Sequence, residues 1–253
     1  MYTKPLVLIV IVNGLMLPFA PLITLGDDYS ETSGLESEYA VQAAATLGEF
    51  VFAIDSRQIA KYQRDSGEFL GLSQGEAIHL NSGYVWKKKV LCAHSNYPNV
   101  PERSQVMLLE PNTMLLTSWH DFGDYGGSLT WIVRRGGRWL CNFAKYGEKN
   151  KETFLVEFDS KFNEKKRWSY PSELIAKLGN YSLSGGIWLR GELLVTGHDE
   201  KEVYVLKVPK QGARLQYVET RSAPFTGQGI AVDKHSQGLV GISRAERRVI
   251  FAK

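Results

Sequence analysis

Lys89-Val90-Leu91-Cys92-Ala93-His94-Ser95-Asn96-Tyr97-Pro98 is an apolar run of strand length that breaks off into hydrogen-bonding side chains. Just before it stands His79-Leu80-Asn81-Ser82-Gly83-Tyr84-Val85-Trp86, a second strand-like run that begins with polar residues, joined to the first by a tight turn. After it come two more, SQVMLLEP and MLLTSWHDF. The unit is therefore a polar-started strand, a turn, an apolar strand ending in a polar cluster, and two further strands.

The unit repeats. Gly127 to Trp131, a Gly136-Gly137 turn, WLCNFAKYG, TFLVEFD and KKRWSYP form the next copy. Ser182 to Trp188, a turn at Gly191, LLVTGHD, VYVLKVP and LQYVETR form another. A plainer copy precedes them (Gln42 to Ala45, FVFAIDS, QIAKYQRD, EFLGLS), and a last one, Gly227 to Asp233, GLVGIS and RVIFAK, has only three strands. Trp86 to Trp131 is 45 residues, Cys92 to Cys141 is 49 and Trp131 to Trp188 is 57, the period of a four-stranded propeller blade. The expected fold is an all-β, five-bladed β-propeller of four-stranded antiparallel blades. One short helix, Ser172 to Leu178 between Pro171 and Gly179, sits in an inter-blade insertion. The fifth blade needs a strand borrowed from the N-terminal side, with Leu35 to Val41 as the candidate. A β-sandwich is the alternative, but it would not require polar clusters to recur in phase.

The totals fit one such domain. The chain has 253 residues, 43% hydrophobic and 23% charged, with a formal net charge of +3. No dense basic block with interleaved aromatics is present, so no nucleic-acid partner is expected. Lys87-Lys88-Lys89 and Arg134-Arg135 fall where hairpin turns are expected and read as solvated turns. Residues Pro5 to Leu25 are almost wholly apolar after a single Lys4. This reads as a signal peptide over 1–26, with an uncleaved anchor as competitor. An exported protein, periplasmic or extracellular, is expected, touching membrane only through this segment if uncleaved. The acidic, Ser/Gly-rich stretch 27–38 reads as a linker and 39–253 as one propeller domain, a monomer. Cys92 and Cys141 occupy equivalent places in successive units, too far apart for a disulfide, and are expected to be buried free thiols.

Antiparallel blades locate a site. The start of each first strand and the end of each second strand lie at the same end of the barrel. The first set contains Gln42, His79, Asn81, Ser82, Ser128, Ser184 and Gln228. The second contains Asp55, His94, Asn96, Asn142, Lys145, His198 and Asp199, with Tyr146 and Arg244. His94, His198 and His79 are the candidate catalytic groups, because imidazole can shuttle protons near neutral pH. Gln42, Asp55, Asn81, Ser82, Asn96, Ser128, Asn142, Lys145, Ser184, Asp199 and Gln228 are the candidate ligand-binding residues for a small polar molecule, with Lys145 suited to an anionic group. The cofactor is unknown. A divalent metal on His79, His94 and His198 with Asp199 or Asp55 is a candidate, though no ligand spacing motif supports it. Ordinary structure competes at each position. Ser, Asn and Gly at strand starts serve turns, Asp55 and Asp199 cap turns, and Trp86, Trp131 and Trp188 pack blades. Gly71-Leu72-Ser73-Gln74-Gly75 matches a nucleophile elbow but lies between strands, the wrong setting.

QAAAT, FAIDSRQIAKY, HLNSGYVW, LCAHSNYP, GSLTW, CNFAKYG, YSLSGG, LLVTGHD and FTGQGIAVD together resemble a family of exported bacterial β-propeller proteins, some labelled cycloisomerases. The five-blade layout and FTGQGIA are similar, more distantly, to glutaminyl cyclotransferases. The resemblance implies the fold, and it carries no catalytic residue over to this chain. Two functional expectations follow. One is a pocket for a sugar or carboxylic acid, with lyase, cyclase or lactone chemistry by a histidine. The other is a non-enzymatic scaffold for protein partners.

Overall fold

A computed structural model describes residues 28–253; the expected signal peptide or anchor, 1–26, lies outside the described residues. After β1 (Glu31–Glu36) the chain builds four complete blades in order. Blade 1 is β2 (Ala43–Leu47), β3 (Phe50–Ile54), β4 (Ile59–Gln63) and β5 (Phe69–Leu72). Blade 2 is β6 (His79–Trp86), β7 (Lys89–Ser95), β8 (Ser104–Glu110) and β9 (Leu115–Gly123). Blade 3 is β10 (Ser128–Arg135), β11 (Arg138–Ala144), β12 (Phe154–Phe158) and β13 (Glu164–Ser169). Blade 4 follows the short helix α1 (Ser172–Lys177) and consists of β14 (Gly185–Leu189), β15 (Glu192–Thr196), β16 (Glu202–Lys207) and β17 (Gln216–Ser222). Blade 5 holds β18 (Ala231–Asp233), β19 (Gly238–Ser243) and β20 (Arg248–Ala252), and β1 pairs antiparallel with β20 to complete it. The five-bladed, four-stranded antiparallel β-propeller is the observed fold.

The closing strand corrects the domain reading. Residues 27–38 contain β1 and are not a linker, and the closure begins at Glu31 rather than Leu35. The reason is exposure: β1 is an edge strand, open to solvent over almost its whole length, so it carries no apolar period. The backbone edge of β20 is what holds it. Ser37 then turns inward and its hydroxyl meets that of Tyr62 at 2.8 Å.

The core lies between blades. Trp131 of blade 3 is fully buried, and a Cβ on Gly186 of blade 4 would come within 2.5 Å of its ring. Glycine is thus the condition for that face-to-backbone contact. Cys92 packs toward blade 1 and Cys141 into the blade 2–3 core, both as buried free thiols. Burial pushes the Cys92 thiol up to about 12. Hereafter the upper mouth is the channel end where the first strands begin. The lower mouth is the end where first and second strands meet in hairpins.

Candidate functional site

Several of the polar residues that recur in phase are spent on joining the blades. Asn81 of blade 2 donates its amide N–H to the Leu129 carbonyl of blade 3 at 3.1 Å. Thr130 of blade 3 donates to the Leu183 carbonyl ahead of blade 4 at 2.7 Å. Asn142 reinforces that seam, donating to Thr130 Oγ1 at 2.8 Å and to Leu183 O at 3.2 Å, while Tyr170 donates to its Oδ1 at 2.7 Å. Thr196 of blade 4 donates to the Gln228 carbonyl, and Gly229 N–H donates to the Gln42 carbonyl at 2.8 Å, which joins blade 5 to blade 1. Leu80 N–H closes the remaining seam onto Ser56 O at 2.7 Å. The side chains of Gln42 and Gln228 are likewise engaged, with Ser56 Oγ at 3.0 Å and with the His198 carbonyl at 3.1 Å. A buried amide must find such partners; Asn81, Asn142 and Gln228 find at least one across a seam, and Gln42 finds its own within blade 1.

A β-bulge interrupts β6 at Asn81 and Ser82. Register shifts between Leu80 and Gly83, so the period of two breaks and Asn81 no longer shares a side with His79 simply by alternation. Ser82 and Ser128 are buried in the channel wall and Ser184 is half-buried at the start of blade 4. Asn96 clasps its own loop, accepting from Arg103 N–H at 2.7 Å and donating to Pro101 O at 2.9 Å. Asp55 accepts from Arg57 N–H at 3.1 Å in a turn.

What remains at the upper mouth is a ring of titratable and aromatic groups. His198 Nδ1 lies 2.6 Å from Asp199 Oδ1, and the imidazole is stacked on Tyr181 with centroids 3.9 Å apart and planes at 8°. The carboxylate accepts only, so Nδ1 carries the proton and Nε2 presents a lone pair. Arg244 Nη1 stands 3.4 Å from that Nε2, and its Nε donates to Val41 O at 2.9 Å. Among the described residues no carboxylate comes within ion-pair distance of Arg244. Burial lowers its pKa, with the more distant charge of Asp199 working the other way. Burial first and Arg244 second lower the pKa of His79, against a weaker pull from Asp55. Its ring neighbours Tyr97 at 5.4 Å, and Tyr97 neighbours Tyr146 at 5.0 Å. Lys145 is paired with Glu102 at 2.9 Å, so its charge is already answered.

Although His79 lies near enough to act on its charge, His94 contacts a different set of residues. It faces blade 1 beside Arg57, Gln58 and Gln105, and its Nε2 accepts from Ile78 N–H at 3.0 Å. Burial, with His79 as a lesser cause, lowers its pKa to about 4. The structure thus brings together His79, His198, Asp55, Asp199 and Arg244, and leaves His94 in the seam between blades 1 and 2. Among the described residues no three His, Cys, Asp or Glu side chains converge to hold a metal ion, so the donor set proposed from the sequence does not fit one. Tyr181 and Tyr97, which complete the ring, lie in loops before and after strands, outside the phase that marks the repeats.

Solved structures share this architecture. Glutaminyl cyclase of Myxococcus xanthus superposes with a TM-score of 0.61 at 8% identity, covering 89% of this chain and 95% of that one. A putative oxidoreductase (glucose dehydrogenase) of Thermus thermophilus superposes with a TM-score of 0.52 at 10% identity, covering 90% and 100%. At such identities the likeness is one of fold. No protein-family model and no curated protein matches the sequence.

Proposed function

We propose that this propeller binds a small carboxylic acid, such as a sugar acid, at its upper mouth and acts on it by acid–base catalysis. The observation that carries the reading is Arg244: a partly buried guanidinium tethered through Nε, with no carboxylate of its own. A planar fork of donors in that condition suits a carboxylate bidentately. A ligand that took the guanidinium would also release His198 Nε2, which Asp199 holds in the tautomer of a general base. His79, whose pKa burial lowers, offers a second imidazole across the mouth. Ring closure or lactone opening needs that combination and no protein nucleophile. The fold shared with an enzyme named glutaminyl cyclase is compatible with such chemistry. Placement outside the cytoplasm rests on the apolar run Pro5 to Leu25.

The test is thermal stabilisation by a panel of sugar acids, lactones and small hydroxy acids, in wild type, Arg244→Gln and His198→Gln. Carboxylates should raise the melting temperature of the wild type by preferential binding to the native state. Arg244→Gln should weaken that binding at least about ten-fold, the loss of one charge-assisted pair. His198→Gln should retain binding and lose turnover. Equal stabilisation of wild type and Arg244→Gln would remove Arg244 from the site. The scaffold reading has its own support in Phe69 and Leu70, which are 50% and 41% exposed on outer strand β5. It gains if no member of the panel binds.

A further inference from the structure

The lower mouth carries a different chemistry. It opens into a cavity of about 570 Å³ walled by apolar side chains of four blades, among them Leu47, Val85, Ile187 and Val232. Trp188 lines it, with the Arg135 guanidinium 4.5 Å from its ring centroid. The hairpins that surround this mouth bring cations together from positions far apart in sequence. Lys87 and Lys88 come from blade 2, Arg190 from blade 4 and Lys234 from blade 5. All four are exposed, and among the described residues none forms an ion pair. The carboxylates of the same region are largely spent elsewhere. Asp233 pairs with Arg64, Glu110 with Lys89, Glu157 with Arg138 and Glu192 with Arg221, Glu49 bonds Gln63 and Asp28 accepts from Ser222 N–H, while exposed Asp65 and Glu68 stand in the outer β4–β5 hairpin.

The described chain also begins at this face. Asp28 and Tyr29 line a second cavity, about 430 Å³, together with Arg190 of the blade 4 hairpin and Gln237 of the blade 5 hairpin. In the sequence Asp28 follows, after two residues, the apolar run Pro5 to Leu25. We propose that the lower face of the propeller docks on an anionic lipid membrane, with the upper mouth turned away from it. Each unpaired Lys or Arg within a Debye length of an anionic bilayer contributes a favourable increment. An apolar run joined to Asp28 supplies the second signal that stable peripheral attachment needs. This inference is independent of what the upper mouth binds.

Residues 28–253 contain all twenty strands of the closed propeller, so a chain starting at Asp28 separates the charged face from the apolar run. That chain is sedimented with phosphatidylcholine vesicles, plain or containing about 30 mol% phosphatidylglycerol. It should bind the anionic vesicles only. The variant K87Q/K88Q/R190Q/K234Q, checked for an unchanged melting temperature, should bind at least about ten-fold more weakly, and about 0.5 M salt should do the same to the wild type. Failure to bind anionic vesicles, equal binding to plain ones, or a variant that binds like the wild type would each overturn the proposal. Orientation is read in the full chain in nanodiscs of the same anionic lipid, with a fluorophore on Lys88→Cys or Tyr97→Cys; the native cysteines are buried and do not compete. A quencher on the lipid chains should dim the label at position 88 and spare that at 97. Equal quenching at both would overturn the orientation.

Discussion

At the scale of single residues, three histidines that look equivalent in the sequence have three different environments. His198 is oriented by Asp199 and Tyr181, the pKa of His79 is lowered by burial and then by Arg244, and His94 is buried as an acceptor for a backbone N–H. The last has a thermodynamic consequence. The folded pKa of His94 is about 4 against 6.5 for the free side chain, so the unfolded chain takes up a proton first. Stability from its neutral burial is therefore complete above pH 6.5 and is lost as pH falls from there toward 4, amounting to about 3 kcal/mol at full extent. His94→Gln, whose carbonyl oxygen can replace Nε2 as acceptor, should flatten that part of the curve of denaturant midpoint against pH. An unchanged slope would place the titration elsewhere.

At the scale of strands and seams, the in-phase polar clusters were legible in the sequence, but their meaning was not. A latch between blades and a ligand contact both recur once per blade at the same end of the channel, and both favour Asn, Gln, Ser and Thr. Asn142, Asn81 and Gln228 proved to be tied to neighbouring carbonyls or hydroxyls. Asn142→Ala should cost about 1–3 kcal/mol, since it strands the buried Tyr170 hydroxyl, while the Leu183 carbonyl keeps its bond from Thr130. Tyr170→Phe should cost about 1–2 kcal/mol, and the double variant should fall short of the sum. Additive losses in chemical denaturation would mean that the two side chains are not coupled. The helix α1 and the strand pairs of each blade, in contrast, were readable because Pro171, Gly179 and the hairpin glycines mark their ends locally. The cations of the lower mouth were visible too. Each alone is an ordinary solvated turn, and only blade symmetry gathers them onto one face.

At the scale of the whole molecule, closure depends on a strand that carries almost no hydrophobic signal. β1 buries little of itself, yet it covers the open edge of β20 and threads Leu35 against the blade 5–blade 1 core. Removing residues 28–37 should therefore lower the melting temperature sharply and make the remainder prone to edge-to-edge association, read by scanning calorimetry and light scattering. A monomer with unchanged melting would show that closure is dispensable. The closed ring also separates two mouths of opposite character, one aromatic and titratable, one apolar and rimmed with lysine and arginine. The five histidines report on this division, since His79 and His198 stand at the upper mouth, His94 in a seam, His235 at the lower mouth and His120 against Phe162 on the outer part of blade 2. The most direct test is the side-chain nitrogen NMR spectrum of the five imidazoles during titration with gluconate. Binding at Arg244 should move the His79 and His198 signals and leave the other three in place. Movement of His235 alone, or no movement at saturating gluconate with every sugar acid tried, would contradict a carboxylate site at the upper mouth.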